Sequence, residues 1–100
     1  MINIAVKYFA PVSEWLGCRE EVLSLVPVKG QAITARQVLA GLAEKHGGAF
    51  AASIYDPVSG KLQEDLFILL NGRHLVRLQG LDTPVADQDW LAIVPVAEAG

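Results

Sequence analysis

The fold is decided by a helical stretch in the middle of the chain, TARQVLAGLAEKH, which occupies residues 34–46. The hydroxyl of Thr34 can cap this helix while the side chain of Gln37, three residues on, reaches back, which is the spacing of a capping box. An apolar stripe follows at helical spacing, formed by Val38, Leu39, Leu42, Ala43 and His46. Gly47 and Gly48 end the helix. Its apolar side must cover something, and the strands before and after it are the candidates.

Two strands are predicted before this helix. Residues 3–9 alternate with the period of a half-buried strand. The alternation places three side chains on one side: Ile4, Val6 and Tyr8. Residues 21–26, EVLSLV, form the second strand. Between them, residues 12–17 predict a short helical turn that closes with a glycine. Three side chains share one face of that turn: Val12, Trp15 and Leu16.

After the helix, residues 49–64 give a weak signal, and we expect a variable loop there. Residues 66–70, LFILL, are a continuous apolar run, which predicts a central strand buried on both faces. The Asn71-Gly72 dipeptide that follows favours a tight turn. Residues 74–78 then predict a short edge strand. The chain is therefore expected to return to the sheet directly after this turn.

The last third of the chain predicts a turn or single helical turn at residues 80–84 and a turn at residues 86–89. A final apolar strand follows at residues 90–94, and Pro95 closes it because proline has no N–H to give to a ladder. The element order fits an α+β domain with the β-grasp arrangement, a mixed sheet of four to five strands on one main helix. We expect the first and last long strands to lie side by side, with residues 1–95 as the domain and residues 96–100 as a flexible tail.

Length and composition limit the function. The chain has 100 residues and 52% hydrophobic content, enough for one core, and a net charge of −3, so nucleic acid is not an expected partner. No apolar run approaches the roughly 20 residues that cross a bilayer, and no secretory signal is present, so no membrane partner and a cytoplasmic location are expected. The single Cys18 fits a reducing compartment.

No motif of an ordinary active site is present: there is no HExxH, no paired Cys-x-x-Cys, no G-x-S-x-G, no P-loop and no dinucleotide glycine pattern. We therefore predict no catalytic residue and no metal ligand. His46 lies where a histidine gains from the helix dipole, and His74 is expected as a solvated turn residue. Cys18 is more often a small buried apolar group than a reactive thiol. Asp87 and Asp89 alone make a poor metal site.

The remaining candidate is the C-terminal segment PVAEAG, residues 95–100. Fully extended, six residues reach ~20 Å, which is enough to enter the active site of another protein. Gly100 has no Cβ, so its carboxylate is sterically open to reaction at the α-phosphate of ATP. The alternative is that any disordered terminus can end in glycine.

The whole pattern resembles the MoaD/ThiS family of ubiquitin-like sulfur carriers, and more closely its MoaD side, the small subunit of molybdopterin synthase. Six segments in order carry the resemblance: Val6 to Ala10, Trp15 to Gly17 before Glu20-Glu21, the 34–46 helix, Leu69 to Arg73, Gly80 to Thr83, and Val85 to Pro95. The resemblance implies the β-grasp fold and places the working group at the chain terminus.

The resemblance also implies a cycle in which the protein is a co-substrate rather than a stand-alone enzyme. A MoeB- or ThiF-like adenylating enzyme would use ATP to join AMP to Gly100, and sulfur transfer would then give a thiocarboxylate. In MoaD-like proteins the sulfur goes to a pterin precursor of the molybdenum or tungsten cofactor, in a complex with a MoaE-like large subunit. In other relatives it goes to thiazole, an amino acid or tRNA. No cofactor is expected to be bound by the chain itself.

The tail departs from the family pattern, which usually ends in Gly-Gly. Here Ala99 adds a methyl group and Glu98 adds a negative charge. Either the partner has a wider and differently charged channel, or the chain is a non-conjugating ubiquitin-like interaction module that holds a partner subunit.

Both hypotheses need a docking surface, and the sheet face opposite the helix is the expected place. The candidate partner-binding residues are Phe9, Phe67, Leu69, Arg73, Pro95, Val96 and Ala99. Each of Phe9, Phe67 and Leu69 also fits a place in the core, and Arg77 joins Arg73 as a candidate rim charge.

Overall fold

A computed structural model describes residues 1–10, 12–56, 58–63 and 65–95. Its strands are β1 Ile2–Tyr8, β2 Glu20–Leu25, β3 Ile33–Thr34, β4 Leu66–Leu70, β5 Arg73–His74, β6 Pro84–Val85 and β7 Trp90–Pro95. Its α-helices are α1 Val12–Leu16, α2 Ala35–His46 and α3 Gly48–Ile54, and its 3₁₀ helices are Leu75–Arg77 and Gly80–Asp82. Within the described ranges, no helix is long and apolar enough to span a membrane.

One mixed sheet of five strands, in the order β2-β1-β7-β4-β5, forms the body of the domain. The first and last long strands, β1 and β7, pair in parallel near its middle, and the other neighbours are antiparallel. A separate two-stranded ladder joins β3 to β6, and this small ladder was not predicted. The β-grasp prediction is confirmed, because the parallel β1–β7 pair lies within a mixed five-stranded sheet that packs one face on one long helix.

Helix α2 covers one face of this sheet, and its apolar stripe supplies buried Val38, Leu39 and Leu42. The sheet supplies side chains at alternate positions of its three inner strands: Ile4, Val6, Tyr8, Ile68, Leu70, Leu91 and Ile93. Both predicted periodicities, about 3.6 residues in the helix and two in β1, are therefore confirmed. The helix begins as expected, because the main-chain N–H of Thr34 donates to Oε1 of Gln37 at 2.8 Å.

The region expected to be a variable loop is instead largely structured, so that prediction is wrong. Gly47 takes a φ of +89° at the end of α2, and the chain enters α3 directly. Helix α3 buries Phe50 and Ile54 in the core, and an isolated bridge then pairs Tyr55 with Leu62. The sequence of α3, GAFAASI, is mostly small residues, which give little amphipathic contrast.

Three smaller predictions also need correction. Trp15 does not share a buried face with Val12, because its side chain remains 64% exposed. Strand β4 is not buried on both faces, since Phe67 and Leu69 on its outer face are only half-buried. The edge strand expected at residues 74–78 ends at His74, whose ring Nδ1 accepts the N–H of Val76 at 3.1 Å and so starts a 3₁₀ turn.

The Asn71-Gly72 turn is confirmed and joins β4 to β5 with positive φ angles of 52° and 87°. Asn71 also fixes the start of β7. Its main-chain N–H donates to the carbonyl of Trp90 at 2.9 Å, and its Oδ1 accepts the N–H of Trp90 at 2.9 Å. One residue therefore sets the turn and the register of the neighbouring strand.

Replacing Asn71 separates these two roles. Asn71→Ala removes the side-chain acceptor and places alanine, which tolerates a positive φ less well than asparagine, in the turn. We therefore expect the free energy of unfolding to fall by about 2 kcal/mol. Asn71→Gly keeps the backbone conformation and loses the acceptor, so we expect a fall of about 1 kcal/mol. Urea denaturation measures both, and a Gly variant as unstable as the Ala variant would contradict this assignment.

Candidate functional site

The face of the sheet opposite α2 is open, and strand register determines which side chains meet there. Lys7 of β1 lies opposite Ala92 of β7, Ala92 lies opposite Leu69 of β4, and Leu69 lies opposite His74 of β5. In the next row, Phe67 lies opposite Val94. These rows bring together residues from both ends of the chain on one surface.

This surface forms a groove of about 1030 Å³. Phe9, Phe67 and Leu69, the three residues predicted for the apolar part of the sheet face, all line it. Phe9 is 41% exposed, whereas Phe67 and Leu69 are half-buried. The structure therefore places these residues together outside the main core, and their role in partner binding stays a prediction.

His74 is part of the groove and not the solvated turn residue that was predicted. Its ring meets the ring of Phe67 edge-on, with 4.4 Å between centroids and an interplanar angle of 88°. Its Nδ1 accepts the N–H of Val76, and its Nε2 is buried without a hydrogen-bond partner among the described residues. No sequence signal marks a histidine as the cap of a three-residue 3₁₀ turn, which is why this role was missed.

Three cationic side chains line the groove: Lys7, Arg73 and Arg77. The Nζ of Lys7 lies 4.8 Å from the ring centroid of Trp90, in a cation–π contact that joins β1 to β7. Arg73 lies on β5 and Arg77 in the 3₁₀ turn after it, and both are exposed. The two arginines predicted as rim charges are therefore on the expected surface. The Lys7–Trp90 contact was not predicted, because it depends on the parallel register of β1 and β7.

Strand β7 leads to the predicted tail. It ends at Pro95, which lies opposite Leu66 of β4 and is half-buried. Gly100, the predicted carrier of the adenylate and thiocarboxylate, lies outside the described residues, as do Val96 and Ala99. Their roles stay predictions, and so does the division into residues 1–95 and 96–100.

A cluster of polar side chains lies on the helix side of the sheet, around the carboxylate of Glu21. The Tyr8 hydroxyl donates to its Oε2 at 2.5 Å, His46 Nε2 lies 2.6 Å from the same oxygen, and Lys45 Nζ lies 2.6 Å from Oε1. The rings of Tyr8 and His46 also contact each other and the ring of Phe50. His46 therefore serves a structural contact between α2 and β2, in addition to its place at the end of the helix.

The electrostatics of this cluster follow from its geometry. Burial alone would raise the pKa of Glu21, but hydrogen bonds from Lys45, Tyr8 and His46 outweigh it and hold that pKa below the ordinary value of 4.5. Burial and the neighbouring Glu21 carboxylate raise the pKa of the Tyr8 hydroxyl, so it remains a donor. The cluster is a structural network that links β1, β2 and α2 through one carboxylate.

The other residues considered from the sequence have structural roles. Asp87 Oδ1 accepts the N–H of Asn3 at 2.7 Å, and Asp89 Oδ2 accepts the N–H of Ala86 at 2.8 Å. Cys18 is half-buried and packs against the core. Across the part of the chain that the structure describes, no group of three or more metal-ligating side chains comes together.

The β-grasp fold, with a half-apolar open face and a central strand that leads to the C-terminus, defines a ubiquitin-like domain. The model of the ThiS family matches residues 6–100, so the chain belongs to the ThiS family of ubiquitin-like sulfur carriers. This match confirms the resemblance found in the sequence. The search of curated protein sequences gave no significant match.

Solved structures agree with this fold. The small archaeal modifier protein 1 (SAMP1) from Methanosarcina acetivorans is 28% identical, with a TM-score of 0.80 over 100% of this chain and 98% of that chain. A putative molybdopterin converting factor subunit 1 from Pyrococcus furiosus is 23% identical, with a TM-score of 0.69 over 95% and 98% of the two chains. The crystal structure of the BexX/CysO complex of Amycolatopsis orientalis contains a chain that is 22% identical, with a TM-score of 0.70 over 92% and 93%. The last two likenesses concern the fold alone.

The Glu21 cluster gives a pH dependence with a defined sign. The pKa of Glu21 is lower in the folded protein than the ordinary 4.5, so its stabilising contribution is present above pH 4.5 and is lost as the pH falls through the folded value. We expect Glu21→Gln to unfold more easily at pH 7 and to lose less stability between pH 7 and the acid range than the wild type does.

Thermal or urea unfolding across this range measures the difference between the two proteins. Glu44→Gln is the matched control, because it removes an exposed carboxylate of α2 that forms no ion pair among the described residues. Parallel pH profiles for Glu21→Gln and the wild type would contradict a structural role for this carboxylate.

Proposed function

We propose that this protein is a sulfur carrier whose Gly100 carboxylate is adenylated and then converted to a thiocarboxylate. The observation that carries the proposal is the ThiS family match, which extends through Gly100 and so includes the tail as well as the folded domain. The absence of an ordinary catalytic motif in the sequence is consistent with a protein that is acted upon.

The chemistry that we propose for the tail consists of two successive substitution reactions. A carboxylate oxygen of Gly100 attacks the α-phosphorus of ATP, pyrophosphate leaves, and an acyl-adenylate remains. Hydrosulfide from a sulfide-releasing donor then attacks the acyl carbon, AMP leaves with the bonding electron pair, and loss of the sulfur-bound proton gives the thiocarboxylate. The adenylating enzyme supplies ATP binding and catalysis, so the carrier itself holds no cofactor.

The fold supports delivery of this carboxylate to another protein. Strand β7 is held on both sides, in parallel by β1 and in antiparallel by β4, up to Pro95. Residues 95–100 in extended form reach ~20 Å from that fixed point. The open groove beside the same strand offers a docking surface, with Phe9, Phe67, Leu69 and Arg73 as contacts and Pro95, Val96 and Ala99 along the departing chain.

The partners we propose are a MoeB- or ThiF-like adenylating enzyme and a sulfur-accepting subunit of the MoaE-like kind. The Amycolatopsis relative was solved as a BexX/CysO complex, which supports assembly with another protein. The Pyrococcus relative is a putative molybdopterin converting factor subunit, which supports the molybdopterin route. We propose that the sulfur acceptor belongs to molybdenum or tungsten cofactor synthesis, as the resemblance of the sequence to the MoaD side implies.

A second function, a non-conjugating ubiquitin-like interaction module, is favoured by the Glu98-Ala99 sequence where the family usually has a glycine pair. Such a module would use the open face to hold a partner and would never activate its tail. Removing Ala99 and Gly100 distinguishes the two functions, because a carrier would lose all activity whereas a module would keep its partner.

Incubation with the adenylating enzyme, ATP and a sulfur donor tests the carrier function. We expect intact-mass spectrometry to detect exchange of one oxygen for sulfur in the wild type and no exchange when Gly100 is deleted. The Ala99 methyl group can cost about 1–3 kcal/mol in a narrow channel, so Ala99→Gly should react faster and Ala99→Val more slowly.

The side chain at residue 97 provides the control, since Ala97→Gly alters the tail equally little but leaves the penultimate position unchanged. No oxygen-to-sulfur exchange in either the wild type or Ala99→Gly, with every adenylating enzyme supplied, would contradict the carrier function.

A further inference from the structure

The distribution of charge around the open groove differs from that of the whole chain. The chain has 11 acidic and 8 basic residues, a net charge of −3. Among the described residues, those that line the groove include three cations, Lys7, Arg73 and Arg77, and no acidic side chain. In the row of residues that contains Lys7 of β1, the neighbour on β2 is Glu20. The excess positive charge therefore lies toward β5, at the other side of the sheet.

The two arginines on that side differ from Lys7 in their contacts. Lys7 already contacts the ring of Trp90. Neither Arg73 nor Arg77 forms an ion pair with any carboxylate in the described ranges, where the basic groups that do pair are Arg36, Lys45 and His46. Exposed arginine groups of this kind are suited to bidentate hydrogen bonds with carboxylates.

The floor between these arginines and β1 is apolar. Phe67, Leu69 and Phe9 are part of it, and Val76 at its rim is 78% exposed. Apolar side chains left partly open beside a charged rim are typical of a protein-binding surface. The floor therefore favours a partner that brings an apolar side chain as well as negative charge.

His74 lines the same end of the groove and has one ring nitrogen without a hydrogen-bond partner among the described residues. Because Nδ1 accepts the N–H of Val76, the neutral ring carries its proton on Nε2. That N–H is buried and has no acceptor among the described residues.

We infer that the open groove binds an acidic protein surface, in which an apolar side chain contacts Phe67 and Leu69 while carboxylates pair with Arg73 and Arg77. The inference rests on the proposed function, since it gives the chemistry of the surface that the adenylating enzyme presents to the carrier. Nucleic acid fits less well, because the groove combines two exposed arginines with an apolar floor in a protein of net negative charge.

Charge reversal in the full-length protein tests this inference. The double variant Arg73→Glu/Arg77→Glu is compared with Lys29→Glu/Lys61→Glu, which changes the net charge equally at exposed positions outside the groove. We expect the groove variant to raise the KM of the adenylating enzyme for the carrier by about tenfold or more, with a weaker dependence on salt. The kcat should change little, and the control should change KM by less than about twofold.

Circular dichroism and thermal unfolding verify that each variant is folded, and Arg73→Gln/Arg77→Gln, which removes charge without reversing it, replaces the Glu pair if that pair does not fold. An equal rise in KM for the groove and control variants, or no binding of wild type by the enzyme, would overturn the acidic docking surface. Loss of binding in the groove variant alone supports it.

A second measurement separates this inference from the carrier function. Calorimetric titration of the enzyme with the carrier in the absence of ATP reports docking without chemistry. Binding that depends on Arg73 and Arg77 but never leads to an adenylate would contradict the carrier function and leave the acidic docking surface standing. Tighter binding of a labelled single-stranded RNA than of the enzyme, lost with Arg73→Glu/Arg77→Glu, would overturn the inference in favour of a nucleic acid.

Discussion

The parallel pairing of β1 with β7 is the constraint on which the rest of the structure depends. It brings the first and last long strands together at the centre of the sheet, with Val6 opposite Leu91 and Tyr8 opposite Ile93. The intervening chain must therefore cross over, and α2 provides the crossover by covering one face. A single helix covers only that face, so the other face stays open and the end of β7 is fixed beside it.

Local patterns predicted the parts of the fold that depend on neighbours in sequence. The Thr34–Gln37 cap, the alternation of β1 and the Asn71-Gly72 turn were all predicted because each physical cause lies within a few residues. Helix α3 was missed because alanine and serine give little contrast between its two faces. Its place is determined by Phe50 and Ile54 packing onto residues far away in sequence.

The same distinction applies to the candidate site. The position of four groove residues could be predicted, because strand residues on the face opposite the helix are either exposed or in contact with a partner. These residues are Phe9, Phe67, Leu69 and Arg73. The contact of Lys7 with Trp90 and the packing of His74 on Phe67 could not, because they depend on strand order and register. Glu21 shows this most clearly, since its burial requires β1, β2 and α2 to converge on one carboxylate.

The two faces of the sheet thus serve different purposes. On the helix side, the network around Glu21 links β1, β2 and α2. The open side keeps apolar surface and exposed positive charge available next to the strand that leads to the tail. Docking and delivery of the carboxyl group would then use one continuous surface.

The central claim is that the adenylating enzyme docks on the open face of the sheet. Hydrogen–deuterium exchange of the full-length protein, alone and with that enzyme, tests this claim most directly. We expect the enzyme to slow amide exchange in the turn and 3₁₀ segment from Asn71 to Leu78 and around Phe9, at the border of the open face. Protection confined to α2 and α3, with no change around the groove, would contradict it.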